Sequence, residues 1–449
     1  MKPGELIGCH DCGCLYQWQP LAERERARCQ RCQLELYRWH ASGPTAQTDA
    51  MVALTLAAVL VFLLAQAFPI VTLQMAGMTS GVTLLQAVGV LWGEGMGVIA
   101  TMVLLCAIVF PGLELSALLY VAIGLRHRRR VPGFNLVLRT VQGARHWAMT
   151  EVLMIGILIT VIKMTSLARV VLHPGLFAFA FLTILCAIVM RYEPRALWAL
   201  ADRQVPQPDN VRHAAAAHHT HEHHHHHAAP ARQEELIACD TCGLVNRLDD
   251  DAGDNGGAAR PAARTGKHCC RCGASLHRRI PNSIGWTWAM LAAATLLYIP
   301  ANLLPVMYTQ SVGGTEGDTI MSGVLLFWNT GSQGLAIIIF VASVVVPVSK
   351  LVALAWLNGS AQLQSRAAPL ARTRAYRVVE FIGRWSMLDI FVVTLTVALV
   401  RFDLLAVITA GPGAIAFGCV VILTMVASAQ FDPRLIWDPI DSYGEQQHV

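Results

Sequence analysis

The chain has 449 residues, of which 55% are hydrophobic and only 14% charged, with a net charge of +5. So apolar a composition excludes an ordinary soluble protein and points to one that crosses a membrane several times. The positive charge is spread over connections between apolar runs, which reflects topology and excludes a nucleic-acid partner.

Cysteines come first. Cys9-x-x-Cys12 and Cys29-x-x-Cys32 are two knuckles sixteen residues apart, the spacing of a tetrahedral thiolate zinc ribbon. Region 1–45 is therefore expected to hold one zinc ion. Four thiolates leave no open position for a catalytic water, so the site reads as structural. No signal peptide is expected, because the first apolar run begins only near residue 50.

A spanning helix needs about 20 mainly apolar residues. Eight candidates follow, near 50–72, 97–125, 148–170, 175–190, 284–307, 334–357, 386–408 and 412–429. The fourth and eighth are short and follow their neighbours through "HPG" (173–175) and "GPG" (411–413), as in helical hairpins. The expected fold is an all-α polytopic membrane protein with two tandem four-helix modules, 46–200 and 281–432. Between them, 201–234 carries nine histidines within 213–227 and reads as a disordered linker. The tract could bind transition metals loosely, or be repeat expansion. A second ribbon, 235–280, places Cys239, Cys242, Cys269 and Cys272 around an Asp/Gly/Ala-rich insert at 248–266, with Cys270 an alternative to Cys269. A tail, 433–449, closes the chain.

Arg24, Arg26, Arg28, Arg31 and Arg38 precede the first span. Arg126, Arg128, Arg129, Arg130, Arg139 and Arg145 fill the second connection, and Arg366, Arg372, Arg374, Arg377 and Arg384 its counterpart. Connections 75–96 and 309–333 contain no Lys or Arg. The positive-inside rule then makes both termini, both ribbons and the basic loops cytoplasmic. That compartment keeps thiols reduced, which favours zinc over disulfides.

The chain is written twice. "FPGLELSALLY" (110–120) recurs as "VPVSKLVALAW" (346–356), "WAMTE" (147–151) as "WSMLD" (385–389), and "YEPRALW" (192–198) as "FDPRLIW" (431–437). Ionisable groups inside a span cost roughly 2.5–3.5 kcal/mol each, so they mark function by default. Glu114 and Lys350 occupy equivalent places three residues after Pro111 and Pro347, where the helix is expected to kink. Glu151 and Asp389 each follow a Trp by four residues, and Lys163 and Arg401 lie twelve residues further on. Twelve helical residues span about 18 Å, so partners must come from neighbouring helices. Lys350 is the natural partner for Asp389, with Thr394, Thr396 and Thr424 extending a polar path.

Ribbons alternating with four-span modules, together with "RWSMLDIFVV" (384–393) and the "YEPR"/"FDPR" pair, resemble the paraquat-inducible protein A family. The resemblance covers the chain apart from the linker and the insert. It implies an inner-membrane component of a bacterial lipid transport system, working with a periplasmic MCE-domain tunnel protein. It also implies a tetraspanin- or claudin-like bundle with a short extracytoplasmic β element after the first span of each module, for which 69–75 and 305–314 are suited. Carried over by position, the family's polar cluster falls on Lys163, Lys350, Asp389 and Thr424. Relatives often have an acid three residues after the first lysine, where this chain has Ser166. A counter-ion for Lys163 would then come from Glu114 or Glu151.

The leading expectation is thus a phospholipid transporter subunit carrying two zinc ions; the alternative is a zinc-ribbon stress or redox sensor, or a scaffold. No nucleophile–base pair stands out, so an enzyme is not expected, and ATP coupling would need another subunit because no phosphate loop is present. Deleting 213–227 should leave membrane levels and function unchanged, since the tract cannot contribute to a core. Loss of function confined to zinc-poor medium would instead assign the histidines a metal-buffering role.

Overall fold

The computed structural model describes residues 6–23, 25–38, 44–75, 78–165, 169–205, 236–247, 268–311, 314–331, 333–402 and 406–440. The expected linker beyond Val205, the insert 248–266, Ser166 and residues 441–449 lie outside them.

The first half opens with β1 (Leu6–Gly8), β2 (Leu15–Gln17), β3 (Arg26–Arg28) and β4 (Glu35–Arg38), two antiparallel hairpins. Then follow α1 (Pro44–Ala67), β5 (Val71–Met75), β6 (Met78–Val82), α2 (Leu84–Gly93), α3 (Gly97–Leu104) and α4 (Phe110–Arg126). The half ends with α5 (Phe134–Arg145), α6 (Thr150–Met164), β7 (Arg169–Leu172), α7 (Pro174–Val189) and α8 (Pro194–Gln204). The second half runs in a similar order, with two described ribbon strands in place of four and an added short strand before the last span. It has β8 (Leu236–Ala238), β9 (Val245–Arg247), α9 (Ser283–Leu303), β10 (Met307–Ser311), β11 (Gly314–Asp318), α10 (Ile320–Asn329) and α11 (Gln333–Phe340). It continues with α12 (Val346–Gln362), α13 (Pro369–Trp385), α14 (Leu388–Leu399), β12 (Arg401–Phe402), β13 (Ala406–Ala410) and α15 (Pro412–Gln430).

Among the described residues, seven helices are long and apolar enough to cross a membrane, or eight if the bent pair Pro174–Val189 and Pro194–Asp202 counts as one span. Rows of exposed apolar residues suited to face lipid run along two of them: Leu56, Leu60, Leu63 and Leu64 on α1, and Leu296, Ile299 and Leu303 on α9. The prolines do not break their helices. A π-helical turn, Leu105–Val109 before Pro111 and Val341–Val345 before Pro347, joins α3 to α4 and α11 to α12. Widening the turn accommodates a residue that lacks an N–H and crowds the carbonyl four residues back.

The β element is larger than a local hairpin. β5 pairs with β6 and with β7, and β10 pairs with β11 and with β13, so a strand arriving after α6 or α14 completes each sheet. Val170, Val171, Val407, Ile408 and Thr409 supply the β-branched residues that favour this. The third and seventh expected spans are correspondingly shortened. Helix α14 stops at Leu399, and Arg401 opens strand β12 opposite Val407; it is not a residue of the Asp389 helix.

Each last span begins wedged against the end of its first. A Cβ on Gly175 would lie 2.4 Å from the Pro69 carbonyl oxygen, and one on Gly413 would lie 2.5 Å from that of Leu304. Only glycine permits backbones to approach so closely. Gly175→Ala should therefore destabilise the protein by about 1–3 kcal/mol, read as a melting temperature several degrees lower. Gly89→Ala, which meets no atom within 4 Å, should leave the melting temperature unchanged or slightly raised.

Candidate functional site

Every cysteine pair sits on the same tight knuckle. The N–H of the first cysteine donates to a carbonyl five residues on, from Cys9 to Cys14, Cys29 to Leu34, Cys239 to Leu244 and Cys269 to Ala274, at 2.7–2.8 Å. The residue after the second cysteine (Gly13, Gln33, Gly243 or Gly273) is left-handed and turns the chain back. Facing knuckles then bring four buried Sγ atoms within 4.8 Å of one another in each cluster, Cys9/Cys12/Cys29/Cys32 and Cys239/Cys242/Cys269/Cys272. The closest sulfurs are 3.4 and 3.5 Å apart in the first cluster and 3.5 and 3.6 Å in the second. Thiolates about 2.3 Å from one tetrahedral zinc lie about 3.8 Å from each other, so both clusters can hold a metal ion and are compatible with zinc.

Cys269, not Cys270, is the cysteine that joins the second cluster. Cys270 is exposed and directs its thiol to Asn246 Oδ1 at 3.3 Å. Hydrogen bonds to the sulfurs come from Tyr16 Oη on Cys29 at 3.2 Å and from Asn246 Nδ2 on Cys269 at 3.6 Å, the kind of outer contact that orients ligands. Beside Cys9, the exposed His10 ring has Nδ1 3.0 Å from Arg195 Nη1 and Nε2 3.2 Å from Asp11 Oδ1.

A second site lies between the two halves. Helix α14 packs against α6 and α2 of the first half, and α15 touches α3. Gly156 makes room for this, because a Cβ there would come 3.1 Å from Phe391 Cβ. Between these helices and the α10–α11 segment is a cavity of about 80 Å³ with walls of Ile99, Ile159, Phe327, Ile339, Val392 and Phe417. Its polar members are Lys163, Asp389, Ser343 and Thr319. The Asp389 carboxylate faces the Ser343 hydroxyl and feels the Lys163 charge, and its buried Oδ2 has no hydrogen-bond partner among the described residues. Lys163 Nζ lies 5.4 Å from the Phe327 ring centre, a cation–π contact. The acids acting on it are Asp318 and Asp389 of the other half, rather than Glu114 or Glu151.

Two expected pairings change. Lys350 does not meet Asp389: its buried Nζ has no hydrogen-bond partner among the described residues and lies 3.1 Å from where a Cβ of Gly383 would be. Asp389 instead lines the cleft against the first half, on α14 just after a short turn at Ser386–Met387. Glu114 is buried and paired with Arg145, whose Nε stands 3.5 Å away. Arg145 also donates to the carbonyls of Tyr192, at 3.3 Å, and Met190. Arg145 was legible only as a loop charge, yet it and Gly383 each stand six residues before the acid of the repeated Trp motif. At equivalent places, one half has an ion pair and the other a lone amine beside a glycine.

The remaining residues stay out of the cleft's polar group. Glu151 is exposed in the first turn of α6. Thr424 and Thr394 are buried and donate to carbonyls of their own helices, Val421 at 3.0 Å and Ile390 at 2.7 Å. Thr396 Oγ1 is buried with no hydrogen-bond partner among the described residues.

A family model described as "Paraquat-inducible protein A" matches residues 48–202 and 284–441. The chain is 31% identical over 441 residues to "Intermembrane transport protein PqiA" of Escherichia coli K12, covering 96% of this chain and 95% of that protein. It is 28% identical to "Lipophilic envelope-spanning tunnel protein A" of the same organism, covering 98% and 92%. It is 27% identical to a "Probable intermembrane transport protein" of Haemophilus influenzae, covering 98% and 97%. No solved structure matches.

Metal analysis of the purified protein should give two ions per chain. Cys269→Ser should lose one of them, whereas Cys270→Ser should keep both. One ion lost on Cys270→Ser would move the ligand assignment by a residue.

Proposed function

The chain belongs to the paraquat-inducible protein A family, and from that premise we propose that it is the inner-membrane subunit of an intermembrane lipid transport system. In this reading it exchanges phospholipid with a periplasmic MCE-domain tunnel protein, acts as no enzyme, and keeps both ribbons and both termini in the cytoplasm. Each ribbon holds one zinc ion, which supplies cross-linking and no open coordination position. Supporting the transport reading are the names of three relatives, each an intermembrane transport or envelope-spanning tunnel protein.

One observation carries the residue-level reading: the cleft between the halves is mainly apolar, with two hydroxyls (Thr319 and Ser343) and an amine and a carboxylate contributed from opposite sides. A phospholipid presents the matching combination, acyl chains for the walls and a phosphate for Lys163. At about 80 Å³ the cavity has room for a few waters of about 30 Å³ each, so lipid entry requires the walls to part. The α10–α11 wall is the one suited to move. Of α10's apolar residues only Val324 is buried, while Met321, Leu325, Leu326 and Trp328 are exposed. Its counterpart α2 buries Leu84, Ala87, Val88 and Leu91. When lipid is absent, Asp389 offers Lys163 a counter-charge, so the amine is never stranded in low dielectric.

Removing Lys163 takes from Asp389 the cation that acts on it, and removing Asp389 takes from Lys163 one of the two acids that act on it; breaking a buried pair costs about 3–5 kcal/mol. Lys163→Ala and Asp389→Asn should each lower lipid-dependent complementation by roughly a hundredfold at normal membrane levels. Lys350→Ala should also impair transport, while Glu151→Gln should not. Full activity of Asp389→Asn would place the functional cluster elsewhere.

A further inference from the structure

Each ribbon rests on the helices of the opposite half. In the first ribbon, Asp11 pairs with Arg377 at 2.7 Å, the Cys32 carbonyl accepts from Arg377 at 3.0 Å, and Gln33 accepts from Arg374 at 2.9 Å. Its cysteines pack with Leu357, Tyr376, Phe431 and Trp437, and Arg31 lies 4.6 Å over the Trp437 ring. All of these partners belong to the second half. In the second ribbon, the Arg271 carbonyl accepts from Asn135 at 2.8 Å, the Asp240 carbonyl accepts from Arg195 at 2.6 Å, and the Arg271 guanidinium pairs with Asp202. These partners belong to the first half.

The ribbons also meet each other. Ile7 and Leu244 form an antiparallel bridge, and a Cβ on Gly8 would fall 2.2 Å from the Ala238 Cβ. Gly8 and Ala238 each stand immediately before the first ligand of their ribbon, so the seam joins equivalent points. The arginines of the two "PR" motifs converge there. Arg195 reaches His10 and the Asp240 carbonyl, and Arg434 grips the Asp240 carboxylate with two bonds of 3.1 Å.

We propose that the two ribbons form one metal-dependent clasp, crossed between the halves, that holds the two helical bundles together. The dependence on metal follows from which residues are gripped. Asp11, Cys32, Gln33, Asp240 and Arg271 all lie within or beside a knuckle, and the strands that flank the knuckles are three or four residues long. Hairpins that short do not persist alone, so the coordinated ion fixes the docking surface. Loss of metal from either ribbon releases both crossings, because the seam between the ribbons goes with it.

The test uses the full chain with a protease site inserted within 213–227 and an affinity tag on the C-terminus. After cleavage in detergent, the N-terminal half should co-purify with the C-terminal half while two metal ions are bound. Stripping the metal with a chelator should lower that recovery several-fold. The double variant Asp11→Ala/Arg377→Ala, and separately Gly8→Leu, should keep two ions per chain and yet show the same loss. Undiminished co-purification after verified metal removal would overturn the clasp, leaving the α14–α6 contact as the joint. So would undiminished co-purification of the metal-replete variants. No transport is measured, so either result leaves the lipid reading to its own test.

Discussion

A carboxylate inside an apolar bundle must find a cation or lose its charge, and much of the arrangement follows from where Asp389 finds one. Its helix ends early, at Leu399, and is set off from α13 by a break at Ser386–Met387. Placed so, α14 lies against α6 and α2 of the other half, and the cation within its field is Lys163. Gly156 permits the close contact. Within the helices the two halves thus meet where opposite charges share a low-dielectric cleft, and neither half contains the site alone.

The same position in each half has been given opposite chemistry. Glu114 is neutralised locally by Arg145, which also ties down the carbonyls of Met190 and Tyr192 at the end of α7. In the second half the acid is replaced by Lys350 and the arginine by Gly383, and the end of α15 is held by other donors, Tyr376 Oη to the Ser428 carbonyl at 3.2 Å and Ser283 Oγ to the Gln430 carbonyl at 2.7 Å. An ion pair in one bundle and, in the other, an amine with no hydrogen-bond partner among the described residues make the two halves chemically unlike at the same place. The exposed α10 and its buried counterpart α2 differ as well.

What was legible in the sequence was local. Cys-x-x-Cys spacing names the metal ligands because the knuckle is a short-range structure, and the glycine after three of the four second cysteines is its signature. Spans were legible because apolar length is a one-dimensional property. The failures are all relational. Helical position says that Asp389 needs a neighbour but not which half supplies it, so Lys350 was the nearest choice along the chain. Arg401 was read as helical because apolar runs of β-branched residues suit strand and span alike. Arg145 was counted among loop charges, although it reaches back to Glu114. The crossing of the ribbons depends on side-chain contacts separated by hundreds of residues, such as Asp11 with Arg377, and leaves no periodicity to find.

The central claim is that lipid occupies the cleft between the halves. It is tested most directly by placing a photo-crosslinking amino acid at Ile159, on the cleft wall, and at Leu63, on the exposed apolar row of α1, in cells labelled with radioactive phosphate. Illumination followed by purification should attach labelled phospholipid at Ile159, and Lys163→Ala should abolish that adduct without affecting the one at Leu63. Labelling at Leu63 with none at Ile159 would contradict the claim, leaving the cleft as a packing interface between the two halves.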